Sequence, residues 1–158
     1  MEPRMNPYKA SPNVYQAMQA LGHVSENSGL ERPLLELVKM RASQINGCAY
    51  CLDMHSKDAR ALGETEQRIY LLDAWREAPF YTDRERAALE WTEAVTLVSE
   101  THVPDDVYER AKAQFTPEEL ANLTLAVIVI NGWNRLSIAF RAIPGNYKSN
   151  LKPLTAGA

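Results

Sequence analysis

The sequence predicts an all-α fold, a bundle of helices, and three observations lead to this prediction. Apolar residues recur three and four positions apart instead of alternating, which is the period of an α-helix. Glycine is scarce, at 7 of 158 residues. Prolines and capping residues separate the periodic segments. The length suits one domain, and we expect a core over about 30–147, an N-terminal arm over 1–30 and a C-terminal tail over 148–158.

The predicted helices follow one another along this core with short connections. They cover 33–45, about 48–61, 65–75, 82–100, 104–115 and 116–140. Pro33 suits the first turn of the first helix. Thr65 is the expected N-cap of the third helix, and Thr82 with Glu85 three residues later forms a capping box that starts the fourth. The tail from Pro144 is predicted to be a loop, and it could serve as a swapped or docking arm.

Two stretches of the chain resemble each other when the sequence is shifted by 85 positions. Residues 34–47 match 119–132 in their apolar positions, and both stretches end in Ile-Asn-Gly. In the first stretch, Asn46 and Gly47 predict a turn between two helices, with Asn46 as the cap of the second. We interpret the pair as a degenerate duplication of a helix-turn-helix unit with this turn in both copies. Chance similarity between two helices is the alternative.

The composition argues against several classes of function. The formal net charge is -3, so the chain has no basic character of the kind that nucleic-acid binding requires. The strongest apolar run, 123–130, is much shorter than the roughly 20 residues that cross a bilayer. The first residues lack the apolar stretch of a signal peptide. We therefore expect a cytoplasmic protein with neither nucleic-acid nor membrane partners.

The two cysteines of the chain and one of its three histidines lie within eight positions, in "CAYCLDMH". On a helix that begins near Cys48, the residues Cys48, Cys51 and His55 share one face. The first turn of a helix has free N–H groups and a positive dipole end, which stabilise a thiolate. If the chain reverses at the preceding turn, Glu36 comes opposite His55. An acid, an imidazole and two thiols are thus predicted to converge.

Such a group can carry out a dithiol peroxidase cycle. A thiolate attacks the O–O bond and becomes a sulfenic acid, and the second cysteine then closes a disulfide that an external reductant reopens. A zinc site is an alternative, although Cys48, Cys51 and His55 supply only three ligands. Two inert buried cysteines beside a core histidine are another, and Glu36 alone could be a solvated helix residue. Haem attachment would require a histidine where Leu52 stands. We predict no cofactor and no metal.

The motif Glu36-x11-Cys48-x2-Cys51-x3-His55 resembles the core of the alkylhydroperoxidase D-like branch of the carboxymuconolactone decarboxylase family, and the likeness covers most of 30–147. The resemblance implies an all-helical homo-oligomer, a trimer or hexamer, that reduces hydroperoxides with electrons from a dithiol reductant protein. It also implies that Cys51 attacks the peroxide and Cys48 resolves the sulfenic acid. His55 and Glu36 would then form a proton relay.

One position departs from the family pattern. Alkylhydroperoxidase D has a histidine directly before the second cysteine, and this chain has Tyr50 there. Tyr50 is a candidate relay, but a phenol is a poor base at neutral pH, so we expect slow peroxide turnover or a different substrate. Two other functions stay open. One is a lyase or isomerase with Glu36 and His55 as acid and base, and the other is a redox-sensing oligomer without turnover.

Overall fold

The structure is a computed structural model, and it describes residues 2–153 of the chain. Within this range the regular structure is helical throughout, without a strand. The helices are α1 (Pro7–Ala10), α2 (Pro12–Glu26), α3 (Arg32–Asn46), α4 (Ala49–Ala61), α5 (Glu66–Tyr70), α6 (Asp83–Thr96), α7 (Val98–Thr101), α8 (Asp105–Lys112) and α9 (Pro117–Phe140). A short 3-10 turn, Leu72–Ala74, follows α5. The predicted all-α fold class is confirmed.

Helix α3 is the centre of the bundle, because it packs against α4, α6 and α9 at the same time. Neighbouring residues of a helix point in different directions, so Leu37 and Val38 enter two separate apolar clusters. Val38 packs with residues of α6, α8 and α9, whereas Leu37 packs with residues of α4, α6 and the 3-10 turn. Neither side chain is exposed to solvent. This burial on both sides fixes the position of α3, and with it the position of Glu36.

The turn between α3 and α4 has the sharp geometry that the sequence predicts. Gly47 has a φ of 68°, in the left-handed region that glycine adopts without a steric penalty. The backbone N–H of Cys48 donates to the carbonyl of Ser43 at 2.9 Å and closes the end of α3. Because α4 begins directly afterwards, with Cys48 as its N-cap, the two helices form a tight hairpin.

The prediction that Asn46 caps α4 is wrong. Asn46 is the last residue of α3, and its side-chain amide donates to the side-chain oxygens of Asn131, at 3.0 Å, and Asn134, at 2.8 Å. Both acceptors lie on α9, so the side chain ties the end of the hairpin to α9 and is not free to cap. The asparagines of the two Ile-Asn-Gly sequences therefore bond to each other.

The second Ile-Asn-Gly does not form the predicted turn, because α9 continues through Asn131 and Gly132 to Phe140. A single glycine weakens a helix by only about 1 kcal/mol, and the residues that follow are compatible with a helix. Gly132 has a different role here. A Cβ atom at this position would lie 2.8 Å from Cε of Met18, so the missing side chain leaves room for the end of the Met18 side chain from α2.

Two other predicted helices are shorter than expected. The segment predicted over 65–75 forms α5 and the 3-10 turn, although Thr65 does cap α5. The segment predicted over 82–100 starts with the expected capping box but breaks at Leu97 into α6 and α7. At this break the hydroxyl of Thr101 donates to the carbonyl of Ala94 at 2.7 Å. In a continuous helix the carbonyl of Ala94 would instead accept the backbone N–H of Val98, four residues later.

The N-terminal arm contains α1 and α2, and α2 packs along α9. The C-terminal segment after α9 has no regular structure as far as residue 153, as predicted from Pro144 onwards. It crosses α4, where the backbone N–H of Gly145 donates to Asp53 at 3.0 Å. Lys57 donates to the carbonyls of Gly145 and Tyr147, at 3.3 and 3.1 Å. The tail therefore docks on a helix of its own chain.

Helix α9 is long and apolar enough to cross a membrane by length and composition. In this fold it is a core helix instead, since Leu123, Val127 and Ile130 are almost fully buried. Leu123 and Val127 belong to the cluster shared with α3, α6 and α8, and Ile130 packs against the cysteines.

Candidate active site

The hairpin of α3 and α4 brings Glu36 and His55 into direct contact. The distance between His55 Nδ1 and Glu36 Oε2 is 2.8 Å, and the two residues are only 6% and 5% exposed. The interpretation of Glu36 as a solvated helix residue is therefore wrong. A carboxylate can only accept hydrogen bonds, so the proton of this contact belongs to Nδ1. In the neutral imidazole that leaves Nε2 as the basic atom.

Lys39 is the second partner of Glu36, and the sequence analysis did not single it out. Its Nζ donates to Glu36 Oε1 at 2.8 Å from one turn further along α3. Burial alone would raise the pKa of Glu36, but the hydrogen bonds and charges of His55 and Lys39 lower it to about 2. Glu36 is therefore a carboxylate at neutral pH. Lys39 lies three residues after Glu36 on the same helix, and this spacing could have predicted their contact from the sequence.

Cys48 and Cys51 lie at the start of α4 and are joined by a disulfide, with their Cα atoms 5.4 Å apart. Each residue is 1% exposed. They pack with Ala42 and Ile130, and the half-buried Tyr50 and Trp133 lie against this group. The structure thus represents the oxidised form of the pair, in which neither sulfur is a free thiol.

A cavity of about 380 Å³ opens beside α4. Cys51, His55, Lys39 and Tyr50 are among the residues that line it. Cys48 and Glu36 are not among its lining residues, so they lie behind the first layer of side chains. A small molecule that enters the cavity therefore meets Cys51 and His55 before it meets the other two members of the predicted group.

The structure adds Asp58 and Tyr147 to this region, and the sequence analysis named neither as a site residue. Asp58 is buried one turn after His55. One ligand atom from each of Glu36, His55 and Asp58 lies within 4.8 Å of the other two. The hydroxyl of Tyr147 donates to the Asp58 carboxylate, at 2.9 and 3.0 Å from its oxygens. Burial, followed by the hydrogen bond and charge of Asp58, raises the pKa of Tyr147.

The three grouped side chains offer atoms that could hold a cation, but their carboxylate oxygens already have partners. Lys39 and His55 occupy the two oxygens of Glu36, and Tyr147 occupies those of Asp58. In the oxidised form the two sulfurs of the zinc alternative are bonded to each other. The hydrogen bonds form two neighbouring groups, Lys39–Glu36–His55 and Tyr147–Asp58.

Comparison with known proteins decides the family. Residues 12–94 match the model of the carboxymuconolactone decarboxylase family. The chain belongs to this family. The protein YdfG of Bacillus subtilis strain 168 is 45% identical over 139 residues, which are 88% of this chain and 95% of YdfG. The likeness therefore spans nearly the whole of both chains.

Solved structures of similar proteins confirm the fold of this family member. The crystal structure of ATU0492 from Agrobacterium tumefaciens, described as a candidate antioxidant-defence protein AhpD, has a TM-score of 0.89 and 46% identity, and the match covers 92% of this chain and 100% of that one. The debrominase Bmp8 has a TM-score of 0.78 and 19% identity, with 87% of this chain and 74% of Bmp8 covered. At that identity the second likeness shows the fold alone.

Proposed function

We propose that the protein is a thiol-dependent peroxidase that reduces hydroperoxides through a Cys48/Cys51 dithiol–disulfide cycle. Glu36 and His55 form its proton relay. One observation carries the proposal: Cys51 and His55 face the same cavity, His55 is held by a buried carboxylate, and Cys48 lies within disulfide distance of Cys51. A cavity with a nucleophile, its base and its resolving partner has the parts that a peroxidase needs.

The first half of the cycle consumes the peroxide. His55 Nε2 accepts the thiol proton of Cys51, and Glu36 stabilises the imidazolium that results. The thiolate attacks the terminal oxygen of the hydroperoxide, so that an S–O bond forms and the O–O bond breaks. The alkoxide leaves and takes the proton from His55 to become an alcohol. Two electrons have then passed from sulfur to the peroxide, and Cys51 is a sulfenic acid.

The second half regenerates the thiols. The thiolate of Cys48 attacks the sulfur of the sulfenic acid, hydroxide leaves and is protonated to water, and the disulfide closes. This is the form that the structure holds. An external dithiol reduces the bond by two thiol–disulfide exchanges and is itself oxidised. Because the backbone N–H of Cys51 points to Cys48 Sγ at 3.4 Å, the first turn of α4 also supports a negative charge on Cys48.

Tyr50 stands where alkylhydroperoxidase D has a histidine, and it lines the cavity beside Cys51. In our proposal it is a candidate hydrogen-bond donor to the leaving oxygen. The relay of His55 and Glu36 does not require it as a base.

Stopped-flow consumption of hydroperoxide with dithiothreitol tests the proposal. Cys51→Ser is expected to abolish turnover. Cys48→Ser is expected to complete one round, and dimedone labelling followed by mass spectrometry should find the sulfenic acid on Cys51. Equal residual activity in both variants would contradict the assigned roles. If peroxide does not oxidise the wild-type protein, the proposed peroxidase function is wrong.

The buried Glu36–His55 pair also supports a second candidate, a lyase or isomerase that uses these residues as acid and base. The same cysteine variants separate the two, because acid–base chemistry at this pair should survive the loss of either thiol. A redox sensor without turnover would instead form the disulfide once per addition of peroxide and show no multiple turnover with dithiothreitol.

We also propose that the protein is a homo-oligomer. Val14, Leu21 and Val24 recur at helical spacing on α2 and are 38%, 42% and 55% exposed. A stripe of this kind is typical of a helix face that is covered by another protein. A second copy of the chain is the expected partner, since trimers and hexamers are implied by the likeness to alkylhydroperoxidase D.

A further inference from the structure

The N-terminal helices form one wall of the cavity that contains Cys51. Helix α2 lines the cavity with residues 4, 3 and 4 positions apart, namely Tyr15, Gln19, Gly22 and Glu26, and α1 contributes Tyr8. This spacing is one face of a helix, so α2 lies lengthwise along the cavity. An arm to which the sequence analysis gave no role is therefore part of the candidate active site.

The cavity has an aromatic end and a polar end. At the aromatic end the ring centroids of Tyr8 and Tyr15 are 4.8 Å apart, and Trp133 lies 6.2 and 6.1 Å from them with its ring edge-on. At the polar end Glu26 lies 3.9 Å from Lys39, measured from Oε1 to Nζ. Tyr15 and Glu26 are eleven residues apart on α2, about 16 Å along the helix axis.

Contacts link both ends of the cavity to the reacting groups. Trp133 packs against the group that contains Cys51, whereas Lys39 bonds to Glu36, the partner of His55. A ligand whose reactive group is at Cys51 can thus reach the rings with the rest of its body. The volume of about 380 Å³ falls within the roughly 300–1,000 Å³ of sites that bind organic molecules. Hydrogen peroxide would fill only a small part of this volume.

We propose that Tyr8, Tyr15 and Trp133 are specificity-determining residues that hold the aryl group of an aryl-bearing organic hydroperoxide while its –OOH group lies at Cys51. This inference rests on the proposed peroxidase function and deepens it. Aromatic rings bind one another in edge-to-face and offset arrangements, and Tyr15 is still 39% exposed, so its ring has surface available for a ligand. The chemistry is the cycle given above, with the aryl-bearing alcohol as product.

Ser25 provides a second, independent observation. It is 2% exposed and lines the same cavity, and within residues 2–153 its hydroxyl has no hydrogen-bond partner. Buried hydroxyls are nearly always hydrogen-bonded, so an unpartnered one beside a cavity indicates a polar group of a ligand or a water. The wall thus combines apolar contact with a place for a hydrogen bond, as small-molecule sites do.

A comparison of two hydroperoxide substrates provides the first test. The ratio of kcat/KM for cumene hydroperoxide to that for hydrogen peroxide is measured with dithiothreitol in the wild type, Tyr15→Ala and Trp133→Leu. We expect Tyr15→Ala and Trp133→Leu each to lower this ratio about fivefold. Tyr15→Phe should keep the wild-type ratio, because the ring and not the hydroxyl makes the contact. Tyr70→Ala, at an exposed tyrosine outside the cavity, is the matched control and should not change the ratio.

A binding measurement that needs no turnover separates this inference from the proposed function. The oxidised protein is titrated with 2-phenyl-2-propanol, the alcohol from cumene hydroperoxide, and with tert-butanol as the control, and tryptophan fluorescence is recorded. Only the aryl alcohol should give a saturable change, and Tyr15→Ala, which keeps Trp133 as the reporter, should weaken the binding. Binding without any peroxide turnover would overturn the peroxidase and support the aryl site. Turnover with an unchanged substrate ratio in the variants and no saturable binding would overturn the aryl site alone.

Discussion

His55 Nδ1 lies 2.8 Å from Glu36 Oε2 across the α3–α4 hairpin, and both side chains are buried. The contact joins residues that are 19 positions apart in the sequence. It fixes which nitrogen of the imidazole carries the proton and leaves the other nitrogen, Nε2, as the basic atom. The predictions below concern this pair and the elements that hold it.

Glu36→Gln should change how stability depends on pH. The pKa of Glu36 is about 2 in the folded chain and 4.5 as an unperturbed group, so the unfolded chain binds more protons between these values. The stabilisation is complete above pH 4.5 and is lost as the pH falls toward 2. It amounts to roughly 3 kcal/mol. Urea unfolding at several pH values should therefore give a flatter curve for the variant over this window.

Glu118→Gln is the control for that experiment, because Glu118 is exposed at the start of α9. It should leave the shape of the curve unchanged. An equal slope for wild type and Glu36→Gln would show that the pair does not stabilise the charged carboxylate.

His55→Gln should move the rising limb of the pH–rate profile to higher pH and lower the rate at neutral pH about 100-fold. Without the imidazole, the thiolate of Cys51 forms only by ionisation into water, and general-base assistance of this kind is typically worth two to four orders of magnitude. The profile is measured as kcat/KM for peroxide between pH 5 and about 9. A profile that coincides with that of the wild type would remove His55 from the relay.

Tyr147→Phe should destabilise the protein by about 1–2 kcal/mol, because it removes a hydrogen bond to the buried carboxylate of Asp58. Tyr70→Phe is the matched control. Its hydroxyl also bonds to a carboxylate, that of Glu66 at 2.9 Å, but the pair is exposed and its loss should cost much less. Thermal unfolding measures both variants, and equal losses would mean that the C-terminal tail does not hold Asp58.

Gly47→Ala should destabilise the protein by about 1–2 kcal/mol, since its φ of 68° is unfavourable for a residue with a Cβ atom. Gly22→Ala should have the opposite sign. Gly22 is in the middle of α2 with open space where a Cβ atom would lie, and alanine is the better helix former there by about 0.5–1 kcal/mol. Urea unfolding measures both variants. A neutral Gly47→Ala would mean that the hairpin tolerates another turn.

Val24→Asp should shift the protein toward smaller assemblies if α2 is the interface between copies. A charge in a buried apolar contact is costly, whereas the same change on an exposed face is nearly neutral. Light scattering coupled to gel filtration reports the mass, with Lys9→Asp as a control at an exposed polar position of α1. An oligomer that is unaffected by Val24→Asp would place the interface elsewhere.

The α3–α4 hairpin and the Glu36–His55 contact across it could be predicted from the sequence, because local rules determine them. Asn46 and Gly47 end α3, the spacing of the cysteines and His55 defines one face of α4, and an antiparallel pair of helices then brings Glu36 opposite. The same reasoning could have found Asp58, which lies three residues after His55 on that face. Only the helix pattern was needed.

The rest of the site depends on contacts between distant segments, which no local pattern encodes. Tyr147 reaches Asp58 from 89 positions away, on a tail without periodicity. Gly132 shows the same limit in reverse. Its Ile-Asn-Gly context indicated a turn, but α9 continues through it and the end of the Met18 side chain packs against it. Tertiary packing overrides local preference in such cases.

The near-complete enclosure of both sulfurs has a kinetic consequence. Only Cys51 is reached from the cavity, and each cysteine is 1% exposed. In the proposed cycle, oxidant and reductant both reach Cys51 through this cavity, and they react with it in alternation. Initial rates should follow a substituted-enzyme scheme, with parallel double-reciprocal plots and inhibition by excess dithiol that additional peroxide relieves.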